Sequence, residues 1–364
     1  VTPLAAAAPR LRIEPEEAAP PIRVAIVDDS AIARAVLSRM LAAQPDFEIV
    51  AHASSAQEAV QVLGGVSADV VILDVEMPGG TGIDALPDII AAGQGARVLI
   101  VSCLCESGAQ ATVEALARGA ADALPKPGIE NFGGRFSAVL ADRVRRVAGS
   151  QVRSPPPSAG APRARIRPMP EGRLGCVAIG ASTGGLHAIT AYLRALPPRI
   201  GAPLLVTQHL PGLFMPFFAR QIETASGRPT RIAEDGLALA ADEVLLAPGD
   251  AHIELDQQGG RVAVRLARGA AASGCLPSVD TMVAAVARIY GRAGLAVVLS
   301  GMGRDGLAGV RELVARGGAA IVQDAESSAV WGMPRGIDEA GLASAVAPPG
   351  ALAELTARRA GLAR

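Results

Sequence analysis

Short β-branched runs alternate with helix-period stretches along most of this chain. Ile22–Val27 is apolar and stops at Asp28-Asp29-Ser30, and the apolar positions that follow, Ile32, Val36, Leu37 and Met40, recur at helical spacing. The pair repeats as Glu48–His52 with Ala56–Leu63, Val70–Leu73 with a loop, Val98–Val101 with Ala109–Arg118, and Ala121–Leu124 before Pro125-Lys126-Pro127. Five such units over residues 22–148 predict an α/β domain whose parallel sheet is covered on both faces. Between 149 and 173, Pro155, Pro156, Pro157, Pro162, Pro168 and Pro170 interleave with Ser, Gly and Arg, which predicts an extended linker. The pattern resumes with Gly175–Ile179, Leu204–Thr207, Val244–Ala247, Ala296–Leu299 and Ala319–Val322. These predict a second, doubly wound and mostly parallel α/β domain over 174–348. His252–Leu255 and Val262–Leu266, joined through a Gly-containing turn, predict an antiparallel hairpin within it. Residues 1–21 are expected to be a disordered tail and 349–364 a C-terminal tail.

Composition narrows the function classes. The 364 residues suit two domains. The 34 basic and 35 acidic side chains leave a formal charge of −1, without the basic excess that nucleic-acid binding requires. Every apolar stretch is interrupted well short of the ~18–20 residues that span a bilayer, so membrane insertion is not expected. The segment from Val1 to Pro21 lacks a basic start followed by an apolar core and does not read as a secretory signal. Four cysteines, Cys103, Cys105, Cys176 and Cys275, are too few for a disulfide framework and contain no C-x-x-C pair. A cytoplasmic location is the expectation. Lys126 is the single lysine; every other basic residue is Arg. A compact ammonium beside a small anion is the one use of Lys that a planar guanidinium cannot take over.

In an open parallel sheet, chemistry gathers at the carboxyl ends of the strands. Asp28 and Asp29 follow the first strand of the N-terminal domain, Asp74 the third, Ser102 ends the fourth and Lys126 follows the fifth. Three carboxylates at one edge suit a hard divalent cation held by oxygen, Mg²⁺ above all. Lys126 and Ser102 can take up the charge of a phosphoryl group built onto a carboxylate, and Asp74 is the natural nucleophile. Taken singly, each residue also has an ordinary role as a cap, a loop acid or a surface charge.

A second constellation follows the first strand of the C-terminal domain, at Gly180-Ala181-Ser182-Thr183-Gly184-Gly185. The loop fits either a phosphate cradle opening a helix or a serine nucleophile on a tight strand-to-helix turn. A nicotinamide site would want an acid about 20 residues further on; the next strand ends instead in Gln208-His209. His209 is thus placed to act as a base. His187, His52 and His252 are better explained by packing or surface roles. Asp305, in the glycine-rich strand-end loop Gly301–Gly306, is the strongest candidate to orient the imidazole. Asp324 and Asp250 are weaker rivals, and Asp280 reads as a helix-start acid. The backbone N–H groups of Thr183 and Met302 are candidates for an oxyanion hole.

Asp28-Asp29-Ser30, the run Leu73–Gly82, Ser102 and Pro125-Lys126-Pro127 resemble the receiver domain of bacterial response regulators. That resemblance implies a flavodoxin-like fold and Mg²⁺-dependent phosphorylation of Asp74 by a histidine kinase. Ala123 stands where receivers commonly carry an aromatic switch residue. The second half resembles the chemotaxis protein-glutamate methylesterase and protein-glutamine glutaminase family. The motifs are Ile179–Gly185, Gln208-His209-Leu210-Pro211, Ala247-Pro248-Gly249, Pro277-Ser278-Val279-Asp280, Ser300–Gly306, and Gln323-Asp324 through Ser327-Ser328 to Gly332-Met333-Pro334. Leu210 and Leu276 depart from residues common in the family, Met and Arg. The resemblance implies a phosphorylation-activated hydrolase of glutamyl methyl esters, and deamidase of glutamines, on methyl-accepting chemoreceptors. A chemotaxis histidine kinase is the implied phosphodonor, and ester hydrolysis itself is expected to need no cofactor. The competing readings are a response regulator with a non-catalytic binding output domain and a nicotinamide oxidoreductase.

Overall fold

The computed structural model describes residues 20–77, 82–102, 106–126, 134–149 and 166–362. The expected N-terminal tail up to residue 19, Cys103, Cys105 and most of the expected linker lie outside them, as do Pro78–Thr81 and Pro127 of the receiver-like motifs.

The N-terminal unit runs β1 (Ile22–Val27), α1 (Ala31–Ala42), β2 (Phe47–Ala53), α2 (Ala56–Leu63), β3 (Val70–Leu73), α3 (Leu86–Ala92), β4 (Arg97–Ser102), α4 (Glu106–Ala117), β5 (Asp122–Pro125) and α5 (Gly134–Gly149). All four residues of β3 are buried, as expected of a strand covered on both faces. Ser30 caps α1 by accepting the N–H of Ala33, so neither Asp28 nor Asp29 is spent on capping. Ser55 caps α2 through Glu58 N–H, while the Glu58 carboxylate accepts from Ser54. The sheet order is β2-β1-β3-β4-β5, with every neighbouring pair parallel. β1 is where the order reverses, so the ends of β1 and β3 flank a crevice.

The second unit contains β6 (Cys176–Ala181), α6 (Gly185–Ala195), β7 (Leu204–Gln208), α7 (Met215–Ser226), β8 (Thr230–Ile232), β9 (Val244–Leu246), β10 (His252–Gln258), β11 (Arg261–Ala267), α8 (Val279–Tyr290), β12 (Gly294–Val298), α9 (Leu307–Ala315), β13 (Ala319–Gln323), α10 (Met333–Glu339), β14 (Ala345–Ala347) and α11 (Pro349–Arg359). Seven parallel strands run in the order β14-β13-β12-β6-β7-β9-β8, and β10 and β11 form the expected hairpin. β6 lies between β7 and β12, so this sheet too reverses at its first strand.

Residues 349–364 are not simply a tail. Pro349, Leu352, Ala353, Thr356 and Ala357 form the buried face of α11, and Tyr192 of α6 donates a 2.8 Å hydrogen bond to Thr356. Leu352 is the one large apolar side chain in that stripe, which is why the apolar period is faint in the sequence. The end of the expected linker is also docked on this unit: Arg167 N–H donates to Ala343 O at 2.9 Å, and the Arg359 guanidinium donates to Gly172 O. No helix among the described residues is long and apolar enough to cross a membrane.

The two units touch. Ala109, Val113 and Leu116 on α4 belong to the same continuous apolar cluster as Phe214, Met215 and Phe217 at the start of α7. At the edge of this contact, Gly184 N–H donates to Ala121 O at 2.6 Å and Thr183 Oγ1 donates to Asp122 Oδ2 at 3.0 Å. His187, exposed on α6, hydrogen-bonds Ala117 O at 2.9 Å, which gives it an interface role.

Candidate active site

The acid pocket of the N-terminal unit assembles at the reversal point. Oxygens of Asp28, Asp29 and Asp74 lie within 4.8 Å of one another, with Asp28 and Asp74 buried and Asp29 exposed. Lys126 Nζ donates to Asp28 Oδ2 at 2.8 Å and to Asp74 Oδ2 at 2.5 Å. Burial works against the Lys126 charge, but the two carboxylates outweigh it and hold the ammonium above its ordinary range. Burial pushes the Asp74 carboxyl up, against the pull of Lys126. Ser102 Oγ is buried and has no hydrogen-bond partner among the described residues. This donor set, all carboxylate oxygen with one face exposed at Asp29, fits a Mg²⁺ ion that keeps part of its water shell.

At the reversal point of the second sheet, strand register does the positioning. Ala181 of β6 pairs with Gln208 of β7, so Ser182 and His209 are the next residues on adjacent strands, and His209 N–H donates to Ala181 O at 3.2 Å. The serine loop is held on all sides. Ser182 N–H donates to Ser300 O at 3.0 Å, Gln208 Nε2 to Ser182 O at 2.8 Å, and Ser300 Oγ to Thr183 O at 2.8 Å. Gly184 has φ +72°, and a Cβ there would lie 2.2 Å from Ala329 Cβ, so only glycine suits the turn.

His209 Nε2 and Asp305 Oδ2 are 2.8 Å apart. Asp305 is almost wholly enclosed and has four further donors: Ser278 Oγ at 2.8 Å, Val279 N–H at 2.7 Å, Asp280 N–H at 3.0 Å and Gly306 N–H at 3.1 Å. Burial alone would raise this carboxyl; the imidazole and the backbone donors reverse that and hold it well below the usual carboxylate range. Burial likewise opposes a charge on His209, but Asp305 and the neighbouring Cys275 prevail and push the imidazole up to about 9. Ser182 Oγ forms no hydrogen bond with the imidazole among the described residues, a looseness common before substrate binds. No intramolecular acceptor among the described residues takes the N–H of Thr183 or Met302.

The rival residues are occupied elsewhere. Asp324 accepts from Ser327 N–H at 3.0 Å, Asp280 accepts from Gly309 N–H at 2.8 Å in the first turn of α8, and exposed Asp250 lies 3.7 Å from Arg268. His252 Nδ1 accepts Ser278 N–H at 2.9 Å, so its Nε2–H donates to Gly269 O at 3.0 Å and the ring braces the loop before α8. His52 pairs with Ser38 at 2.7 Å. Sequence reasoning passed over three residues at this site. Ser278 holds Asp305, Asp122 reaches the serine loop from the other unit, and Cys275 shares the His209–Asp305 cluster. Their partners are distant in sequence, and although Ser278 lies in the Pro277–Asp280 motif, nothing local shows what it holds.

Residues 177–356 match the CheB methylesterase family model and residues 24–131 the response regulator receiver domain. A protein-glutamate methylesterase/protein-glutamine glutaminase of Azospirillum brasilense is 37% identical over 354 residues, covering 90% of this chain and 90% of that protein. The chain belongs to the CheB methylesterase family. A Caulobacter vibrioides protein-glutamate methylesterase/protein-glutamine glutaminase 2 is likewise 37% identical, across 93% of this chain and 99% of its own length. The Thermotoga maritima CheB methylesterase catalytic domain is similar in structure, with a TM-score of 0.50 and 34% identity over 51% of this chain and 99% of that one. This CheB-family chain is therefore a receiver domain joined to a hydrolase domain.

Proposed function

We propose that the protein hydrolyses γ-glutamyl methyl esters, and deamidates selected glutamines, on the cytoplasmic helices of methyl-accepting chemoreceptors. The observation that carries this reading is the 2.8 Å contact of His209 with Asp305 at the sheet reversal, where Ser182 and His209 follow adjacent paired strands. Ser182 Oγ attacks the ester or amide carbonyl while His209 takes its proton, and the oxyanion meets the N–H groups of Thr183 and Met302. The tetrahedral adduct collapses to an acyl-serine as His209 returns the proton to departing methanol or ammonia. Water, activated by the same imidazole, then releases glutamate. Asp305 orients the ring and stabilises its charge. Methanol release from methylated receptor fragments, measured with and without acetyl phosphate, is the direct test. A non-catalytic output domain predicts none.

Regulation begins at Asp74. Asp28, Asp29 and Asp74 would hold Mg²⁺, which supplies charge neutralisation at the incoming phosphoryl group. An Asp74 oxygen bonds to phosphorus as the bond to the kinase histidine breaks, and Lys126 and Ser102 receive the new anionic oxygens. Ala121 O and Asp122 grip Gly184 and Thr183, next to the nucleophile. β5 leads directly into Lys126, so a shift of the lysine toward phospho-Asp74 pulls on the strand that makes this grip.

Asp122→Ala is expected to raise methanol release without a phosphodonor. Removing a hydrogen bond worth ~1 kcal/mol from the closed state corresponds to an increase of about fivefold. The ratio of stimulated to basal rates should fall correspondingly. An unchanged basal rate would disconnect this contact from control.

The imidazole at about 9 sets the pH profile. The general base must be neutral, and at pH 7 only about one ring in a hundred is. For the unphosphorylated enzyme, kcat/KM should therefore rise about tenfold per pH unit from 6 to 8 and level off above 9. A plateau already reached by pH 7 would contradict the resting protonation of His209.

A further inference from the structure

Cys275 has no part in the mechanism above, yet it lies beside its imidazole. One nitrogen of His209, the Cys275 sulfur and one oxygen of Asp305 all fall within 4.8 Å of one another. Cys275 is half-buried and sits three residues before Ser278, in the segment that runs onto α8. A Ser273 Oγ contact to its N–H, at 3.4 Å, is part of the turn that brings the sulfur inward. The three ligand atoms come from three separate loops, following β7, preceding α8 and following β12.

Sulfur, imidazole nitrogen and carboxylate oxygen together form a borderline-soft set, quite unlike the all-oxygen pocket around Asp74. Zn²⁺ takes such sets in tetrahedral geometry, with Zn–S about 2.3 Å and Zn–N or Zn–O about 2.0–2.2 Å, and three protein ligands leave the fourth position open. Ligand atoms of one tetrahedral Zn²⁺ lie about 3.3–3.6 Å apart, so the Cys275 sulfur, within 4.8 Å of the other two, has to close by little more than an ångström at most while the His209–Asp305 pair opens slightly from 2.8 Å. The surroundings are already built: Ser278 Oγ and three backbone N–H groups fix Asp305, as hydrogen-bond donors do around metal-bound carboxylates. His209 retains 18% side-chain exposure, so the cluster opens to the cleft and an ion can enter.

We propose that His209, Cys275 and Asp305 form a reversible Zn²⁺ site that shuts off the hydrolase when occupied. The inference rests on His209 acting as the base: an imidazole that has given its lone pair to zinc and lost its link to Asp305 cannot accept the serine proton. The ion is an inhibitor and has no place in ester hydrolysis.

The test uses the full chain with excess Mg²⁺ present to occupy the acid pocket. Co²⁺ serves as the spectroscopic probe and Zn²⁺ as the inhibitor. Wild type and Ser182→Ala should both develop a thiolate-to-cobalt charge-transfer band at one equivalent, and Zn²⁺ should displace it. A Cys103→Ser/Cys105→Ser variant should keep the band, and Cys275→Ser should lose it. Loss of even a hydrogen-bond partner of a ligand costs ~10–100-fold in metal affinity, so loss of this ligand should weaken Zn²⁺ binding and raise the inhibitory Zn²⁺ concentration by about 100-fold or more. Chelation should restore methanol release in the wild type. A band that survives in Cys275→Ser, no band in wild type, or equal Zn²⁺ inhibition of wild type and Cys275→Ser would each overturn the site. Because the Co²⁺ band also appears in Ser182→Ala, a failed esterase reading and a failed zinc reading give different results.

Discussion

Ser182→Ala is expected to reduce methanol release from a methylated receptor fragment by about 10⁶-fold, the scale seen when the nucleophile of a serine triad is removed elsewhere. The fold should not notice. Ser182 Oγ has no intramolecular hydrogen bond among the described residues, and its Cβ lies beside Gly301, where an added Cβ would come within 3.0 Å of it. The loop is held through backbone groups: Ser182 N–H on Ser300 O and Ser182 O on Gln208. Alanine preserves all of these, so the melting transition should stay within ~0.5 kcal/mol of wild type. Phosphorylation of Asp74 should also proceed normally, which separates loss of the nucleophile from misfolding. If the variant kept more than about a hundredth of the wild-type rate, another group would have to be the nucleophile.

Most of this site is legible in the sequence because parallel strands buried on both faces are uninterrupted apolar runs, and the residue at which each run stops is the residue that reaches the sheet edge. Val70–Leu73 stops at Asp74 and Leu204–Thr207 at Gln208-His209, and the structure places both ends at a chain reversal. What stayed hidden depends on contacts that cross large sequence separations. Asp122 lies 61 residues from Thr183, with the linker between them, and the packing of α4 on α6 and α7 brings them together. Cys275 reads as one of four scattered thiols until the chain folds. The edge strands β8 and β14 have three residues each, too few to establish a period of two. His252 is a different case: it opens β10 rather than ending a strand, and its bracing of Ser278 agrees with the packing role expected of it.

Asp305→Asn should lower kcat by about 10⁴-fold, as measured for a triad aspartate elsewhere, and by a route readable from its hydrogen bonds. The Asp305 carboxylate is an acceptor only, so His209 Nε2 carries the proton between them and Nδ1 is the nitrogen left free to take the serine proton. In the variant the carbonyl oxygen is best placed where Oδ1 meets Ser278, Asp280 and Gly306, because three donors converge there. The amide NH₂ then takes the Oδ2 position, donates to Nε2 and forces the proton onto Nδ1, the wrong tautomer for a base. It also faces Val279 N–H, leaving a buried donor without an acceptor at a cost of ~1–3 kcal/mol. Stability should therefore fall together with activity, unlike in Ser182→Ala. The pH dependence separates the two variants further. Asp305 is more acidic folded than unfolded, so its stabilisation is complete above its unfolded pKa of about 4 and fades as pH falls through the folded value. Acid unfolding of wild type and Ser182→Ala should share that dependence, and Asp305→Asn should lose part of it. An Asp305→Asn enzyme with wild-type kcat would show that the imidazole needs no acceptor at Nε2.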